Sequence, residues 1–237
     1  MTYQEPTVTR PAGPSPWKAL VKVITEPGAT FRAFGGRVPV APGYLVEMLF
    51  SLAGTLLAMP VALRIAEQTL LATPGYTPQM MSFARWSGIL GGAFFALAGP
   101  WLAGVLVSLF AMFFGQFQEE RVPFTSYLGM IGYARISLSI HALLNGILVM
   151  ALGGQTAEFK LSLAALAPNG SSLLLKTFLG TLNPFGIWYY CLLAIGFAAL
   201  HRAKPAKGVG LIATIYVLSF LMTYGLAALG GKFAPQM

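Results

Sequence analysis

Apolar and small residues run from Trp86 to Gln118 without one charged side chain, between Arg85 and Glu119. About 20 apolar residues suffice to cross a bilayer core of about 30 Å. A run of 33 uncharged positions therefore exceeds any single helix of a water-soluble core. The pattern predicts five spans, over residues 44–66, 83–117, 127–152, 185–200 and 209–229, within a transmembrane domain of 44–230. The fold class expected is all-α, an integral membrane five-helix bundle. As one helix the uncharged run would be about 50 Å long, which is too short for two crossings and a turn. Gly99-Pro100 in its middle predicts a kink. Its surplus length is expected to project toward Glu119 and Glu120 or to be taken up by tilt.

Ahead of the first span, the period changes. Ser15 suits an N-cap and Pro16 the first helical position. Trp17, Leu20, Val21 and Ile24 then fall at i, i+3, i+4 and i+7, with Lys18 and Lys22 off that face. Pro27 breaks this helix or starts a second, on which Phe31 and Phe34 share a face beside Arg32, and Gly35-Gly36 ends it. Residues 16–38 thus read as amphipathic juxtamembrane helices lying on the inner leaflet, with Trp and Lys at the headgroup level. The same pattern also suits a collar packed under the bundle, and the two are compatible. Residues 1–15, with four prolines when Pro6, Pro11 and Pro14 are counted beside the neighbouring Pro16, lack an apolar signal-peptide core and read as a disordered tail.

Composition agrees with a membrane solvent. Hydrophobic residues make up 56% and charged residues 9% of the chain, against roughly 25% charged in soluble domains. There is no Asp, and 15 Lys and Arg against seven Glu leave a net charge of +8. The basic residues flank apolar spans, which points to orientation and anionic lipid rather than nucleic acid. Arg10, Lys18, Lys22, Arg32, Arg37, Arg121, Arg202, Lys204 and Lys207 collect on one side, and Lys160, Lys176 and Lys232 on the other, with Arg64 and Arg85 at span ends. The positive-inside rule puts the N-terminus in the cytosol and the C-terminus outside, in a bacterial inner membrane. The long outer loop, 153–183, carries leucines that suggest two short interfacial helices around a Pro168-Asn169-Gly170 turn.

Two patterns inside the spans bear on packing and chemistry. Gly54, Ala58 and Ala62 in the first span, and Gly88, Gly92 and Ala96 in the second, are small residues spaced by four. Such ridges let helices approach closely in lipid, within one protomer or across a homodimer. Glu47 and Arg135 sit at similar depths in the first and third spans, where an unpaired charge costs at least about 2.5 kcal/mol. They are expected to pair or to face a wet interior. Ser137, His141 and Asn145 follow at i, i+4 and i+8 as a polar stripe. That stripe suits a proton or ion relay, or an interhelical hydrogen-bond cluster.

Catalytic signatures are missing. His141 and His201 lie apart in sequence and Cys191 is the single cysteine, so no metal-ligand spacing or disulfide can be read. No Asp exists to complete a triad, and no phosphate-cradling loop is present. No catalytic residue, metal or cofactor is therefore expected. The expected partners are the lipid bilayer, membrane-protein partners or a second copy, and not nucleic acid.

Three stretches together resemble the Yip domain family, membrane proteins first described as interactors of Ypt/Rab-type GTPases. They are Pro16-Trp17-Lys18-Ala19-Leu20 with Glu26-Pro27-Gly28-Ala29-Thr30-Phe31-Arg32; Phe124-Thr125-Ser126-Tyr127-Leu128 with Ile131-Gly132-Tyr133-Ala134; and Asn183-Pro184-Phe185-Gly186-Ile187-Trp188 with Leu192-Leu193-Ala194-Ile195-Gly196. The resemblance implies a five-helix bundle with a cytosolic N-terminus and no established catalytic residues. Eukaryotic relatives are linked to vesicle trafficking, membrane shaping and small-GTPase binding. The Asp-Leu-Tyr-Gly-Pro motif of those relatives is absent, and Arg135 to Ser139 stand where bacterial members often carry a Pro after Gly-Tyr-Ala. The function expected is a non-enzymatic membrane organiser or partner recruiter acting through residues 15–34. The alternative is a small transporter or channel using Glu47, Arg135 and His141.

Overall fold

The computed structural model describes residues 14–72, 75, 77–153, 161–168 and 170–233. The expected disordered tail lies outside them apart from Pro14 and Ser15, as do Phe159 and Lys160 of the long loop and Asn169 of its turn. The described residues form helices α1 (Pro16–Thr25), α2 (Pro27–Ala33), α3 (Ala41–Leu71), α4 (Pro78–Gly115), α5 (Phe124–Ala134), α6 (Ile136–Leu152), α7 (Leu173–Thr181), α8 (Pro184–Leu200) and α9 (Val209–Phe233), with 3₁₀ turns at Leu163–Leu166 and Pro205–Gly208. The architecture is an all-α membrane bundle, as the hydropathy pattern predicts. Four helical stretches are long and apolar enough to cross a bilayer, and α7 with α8, bent by 58°, supplies a fifth if the pair is one span.

Proline and small polar residues set the helix starts. Pro16, Pro27, Pro78 and Pro184 occupy first-turn positions, where a missing N–H costs no intrahelical bond. The Thr77 hydroxyl accepts from Met80 N, and the Asn183 side-chain carbonyl accepts from Gly186 N at 2.7 Å, capping α4 and α8. Helix α6 ends at Gly153, which takes φ +65°. Pro60 and Pro100 both lie within helices that continue through them. The uncharged run is thus part of one helix, α4, of 38 residues, about 57 Å long.

The bundle is inverted relative to a soluble protein. Large apolar side chains face outward along α4 (Phe83, Trp86, Leu90, Phe94, Leu102, Leu106, Phe113) and α9 (Val217, Leu221, Met222). The inward side of α4 is instead a stripe of small residues, Ala96, Pro100, Gly104, Ser108, Ala111 and Gly115. That stripe extends the expected Gly88-Gly92-Ala96 ridge, whose first two members lie at the less buried end of the helix. In lipid the outer side gains nothing by burial, so close approach of small residues is what brings helices together.

Two helices merge where the hydropathy pattern shows one. The third span is α5 and α6, separated at Arg135, which closes the first and opens the second with φ −70° and ψ −6°. The chain bends by 58° between α7 and α8 at Leu182 and Asn183, and α8 covers the expected fourth span. Of the two interfacial helices expected in the long loop, α7 is one and the 3₁₀ turn at Leu163–Leu166 stands in the region of the other. Helix α7 is tied to α9 through Thr181 Oγ1 and Tyr216 Oη at 3.1 Å.

The densest core sits at one end. Ala19, Leu20 and Val23 of α1, Phe31 and Phe34 around α2, Met130, Ile131 and Tyr133 of α5, and Leu192, Leu193 and Phe197 of α8 form a single cluster. This is the collar end of the bundle. At the opposite end α3 and α4 diverge around open grooves.

Candidate functional site

The most strongly built polar feature lies inside the bundle. Arg135 Nε and Nη2 donate to the two carboxylate oxygens of Glu47 at 2.7 and 2.5 Å. Glu47, on α3, is 3% exposed. A bidentate guanidinium–carboxylate pair satisfies two donors and both acceptor oxygens in one plane. Its place at the α5–α6 junction joins the first span to the middle of the third. The sequence-level expectation put these two at similar depth, and the structure brings them into contact.

Two tyrosines surround the pair. Tyr44, one turn before Glu47, and Tyr189 of α8 are buried within the fields of both charges. The Tyr44 ring stacks on Trp101 with centroids 4.3 Å apart, and Trp101 Nε1 donates to Met48 Sδ. The Tyr44 and Tyr189 hydroxyls lie outside hydrogen-bond geometry with any described partner. Three spans thus converge on one charged pair, with aromatic rings packed around it.

The polar stripe of the third span does not stay together. The Ser137 hydroxyl donates to the Phe185 carbonyl in the first turn of α8. His141 packs its ring on Phe185, centroids 5.4 Å apart. Asn145 instead lines a groove between α3, α4 and α6. Ser137 and His141 therefore sit at the start of the fourth span, and Asn145 sits away from it.

Glycine contacts join the first and third spans, and of these Gly54 belongs to the small-residue ridge expected from sequence, whereas Gly43 and Gly146 do not. Gly43 of α3 lies against the Gly132 backbone of α5, and Gly54 of α3 against the backbones of Ala142 and Gly146 of α6. A Cβ at Gly43, Gly54 or Gly146 would collide with main chain, and one at Gly132 with the Tyr44 ring. Of the small-residue ridges, Gly54 is thus a contact between α3 and α6. Ala58 and Ala62, with Gly88, Gly92 and Ala96, border the α3–α4 groove. The signal available was a correlation between Gly43 or Gly54 and glycines of another span, which spacing along one helix does not display.

The collar is docked onto the bundle. Tyr133 Oη donates to the Pro16 carbonyl at 2.9 Å, and the Ser126 hydroxyl donates to the Gly36 carbonyl at 2.6 Å. Leu20, Phe31 and Phe34 are buried and Ile24 is half-buried, together with Ala19 and Val23, which lie outside the expected face. Trp17 (57%) and Val21 (68%) remain exposed beside Lys18 and Lys22, and Arg32 is also exposed. The connecting loops carry a second polar knot. Tyr127 Oη lies 2.9 Å from His201 Nε2, and His201 Nδ1 lies 3.1 Å from the Glu120 carbonyl. The carbonyl can only accept, so Nδ1 carries the proton and Nε2 accepts from tyrosine. Burial pushes the His201 imidazole below its ordinary value, opposed by its bond to Glu120.

Among the described residues no group of three or more His, Cys, Asp or Glu side chains could hold a metal ion. The fold and these contacts define an integral membrane helix bundle with a structured basic collar. A family model, the Yip1 domain, matches residues 21–228, and the chain belongs to that family. No curated protein and no solved structure matches the chain.

Proposed function

We propose that this Yip1-domain protein is a non-enzymatic membrane organiser or partner recruiter, and that its working surface is the outward side of α1. The observation that carries this reading is the division of that helix. Ala19, Leu20 and Val23 fasten it to the core, while Trp17, Val21, Lys18 and Lys22 point away from the core. A docked helix presents its exposed residues without an ordering cost at the moment of binding. An aromatic and a β-branched residue flanked by two lysines suit the headgroup level of an anionic leaflet. Lys18, Lys22, Arg32, Arg37, Arg121, Arg202, Lys204 and Lys207 gather at this end, whereas Arg64, Arg85, Lys176 and Lys232 are the described basic residues of the other. That asymmetry supports a cytosolic collar in a bacterial inner membrane.

The test uses the full chain in vesicles. Trp17→Ser/Val21→Ser and Lys18→Glu/Lys22→Glu variants alter only exposed positions. The expected result is an unchanged melting temperature with loss of lipid-headgroup contact, or of the proteins crosslinked to a probe at the exposed Thr25 position in native membranes. Unchanged headgroup contact and an unchanged crosslinked set in both variants would overturn the reading.

A transporter using Glu47, Arg135 and His141 is supported by a different observation. Helices α7 and α8 meet at a 58° bend, and Ser137 of α6 donates to the Phe185 carbonyl where α8 starts. Broken helices inside a membrane protein are tolerated where they are buried or line a pathway, and they mark many substrate sites. Unchanged flux of candidate ions in Glu47→Gln and His141→Ala vesicles removes this reading.

A further inference from the structure

At the end remote from the collar, α3 and α4 enclose two adjoining spaces of about 490 and 610 Å³. Both fall within the usual range of ligand pockets, about 300–1,000 Å³. Met59, Leu63, Ala66 and Ala84 border both, so they form one continuous groove. Along α3 it runs from Ser51 to Ala66, about 22 Å at 1.5 Å per residue, which exceeds the depth of one leaflet of a core about 30 Å thick. Small residues make up much of its walls, Gly54, Ala58 and Ala62 on one side and Gly88, Gly92 and Ala96 on the other.

The groove has a charged mouth. Arg64 of α3 and Arg85 of α4 border the same space, together with Glu67. Among the described residues neither arginine has an ion-pair partner, since the ion pairs there are Glu47–Arg135 and Glu120–Arg202. Two guanidiniums against one carboxylate leave one net positive charge at the mouth. Phe83 and Trp86 are exposed beside Arg85, as befits residues at a membrane interface.

We propose that this groove binds one anionic glycerophospholipid of the surrounding bilayer. Arg64 and Arg85 hold its phosphodiester, and an acyl chain lies along the small-residue walls. Guanidinium pairs recognise phosphate oxygens by charge and by bidentate geometry. The mouth's single net positive charge balances a lipid carrying one negative charge. A second copy packed on this face about a two-fold axis is disfavoured, because it would bring four arginines to one level with only two Glu67 carboxylates. This inference does not depend on the collar reading.

The test is native mass spectrometry of the full-length protein released from mixed micelles containing equal phosphatidylglycerol and phosphatidylcholine. The wild type is expected to retain one phosphatidylglycerol per chain in preference to phosphatidylcholine. Arg64→Gln and Arg85→Gln should each weaken that preference about fivefold, and the double variant should abolish it. Ala58→Leu/Gly88→Leu, which fills the groove and leaves both arginines, should lose bound lipid of either type. If the filled variant does not fold, the arginine variants, altered only at exposed positions, still decide. Equal retention of both lipids by the wild type, undiminished retention by the double variant, a lipid-free dimer, or displacement of the lipid by inorganic phosphate alone overturns the proposal.

Discussion

Arg135 closes both oxygens of Glu47 in a bidentate pair at the junction of α5 and α6. The third span runs through this junction as one 29-residue stretch, with i→i−4 bonds from Arg135 to Ile131 and from Ser139 to Arg135, and the pair clamps its middle to the first span. Removing one partner leaves a charge without compensation in a low-dielectric site. Glu47→Ala or Arg135→Ala should each destabilise the bundle by about 3–5 kcal/mol. Replacing both by methionine should recover much of that loss, since desolvation of the pair disappears with it. Equilibrium unfolding in bicelles, run as a double-mutant cycle, checks both outcomes. A loss in the double variant equal to the sum of the two single losses would show that the pair is not the clamp.

The glycine contacts predict a position-specific effect. Gly54→Val or Gly146→Val forces α3 and α6 apart, because the added carbons meet backbone that cannot rotate away. The cost should reach or exceed the about 1–3 kcal/mol of ordinary overpacking. Gly99→Ala, where a Cβ meets nothing within 4 Å, should be neutral or stabilising. Melting temperatures of the three variants separate the two classes.

These contacts also show what a linear pattern carries. The apolar stretches and their order could be read because each must cover a fixed thickness of hydrocarbon, whereas hydropathy does not say whether α7 shares a span with α8. The Glu47–Arg135 pair could be anticipated because two buried charges at one depth have few alternatives to meeting. The start of α8 after Asn183 could be read from the apolar run that begins there, but the interruption at Arg135 could not, because the flanking residues are equally apolar on both sides of it. For α1, period alone picked Trp17, Leu20, Val21 and Ile24, whereas the docked side is Ala19, Leu20 and Val23. Both sides of that helix carry apolar residues, and hydropathy does not say which meets protein and which meets the interface. The Tyr127–His201 knot joins residues 74 positions apart that share no motif.

That knot predicts a pH dependence. Burial holds the folded-state imidazole of His201 below the ordinary value of about 6.5, so the unfolded chain binds the proton more readily. As pH falls below about 6.5 the unfolded state gains protons first, and stability declines until the folded-state value is passed, where the curve levels. Chemical unfolding in bicelles between pH 7.5 and 5 should show this decline. His201→Gln should flatten it and Tyr127→Phe should leave it, while each lowers stability at pH 7.5. An increase in wild-type stability on acidification would contradict the assigned neutral imidazole.

The two valines of α1 give the sharpest test of how the collar is built. Val23 is fully buried against the α5–α8 core, and Val21, two residues earlier, is 68% exposed. Aspartate at 23 places a charge with no partner among Leu20, Phe31 and Met130, a substitution expected to cost several kcal/mol or to release the helix altogether. Aspartate at 21 meets open surroundings and should change stability by no more than about 0.5 kcal/mol. Limited proteolysis within residues 15–38, read beside the melting temperature, distinguishes these outcomes. Val23→Asp should make the collar cleavable, and Val21→Asp should leave it protected. Protection in both variants would mean that the collar is held by its two ends, through the Tyr133–Pro16 bond before α1 and the Ser126–Gly36 bond after α2, rather than by the apolar side of α1. Cleavage in both would mean that the outward side is itself packed in the membrane, which would merge the docking face and the contact face into one.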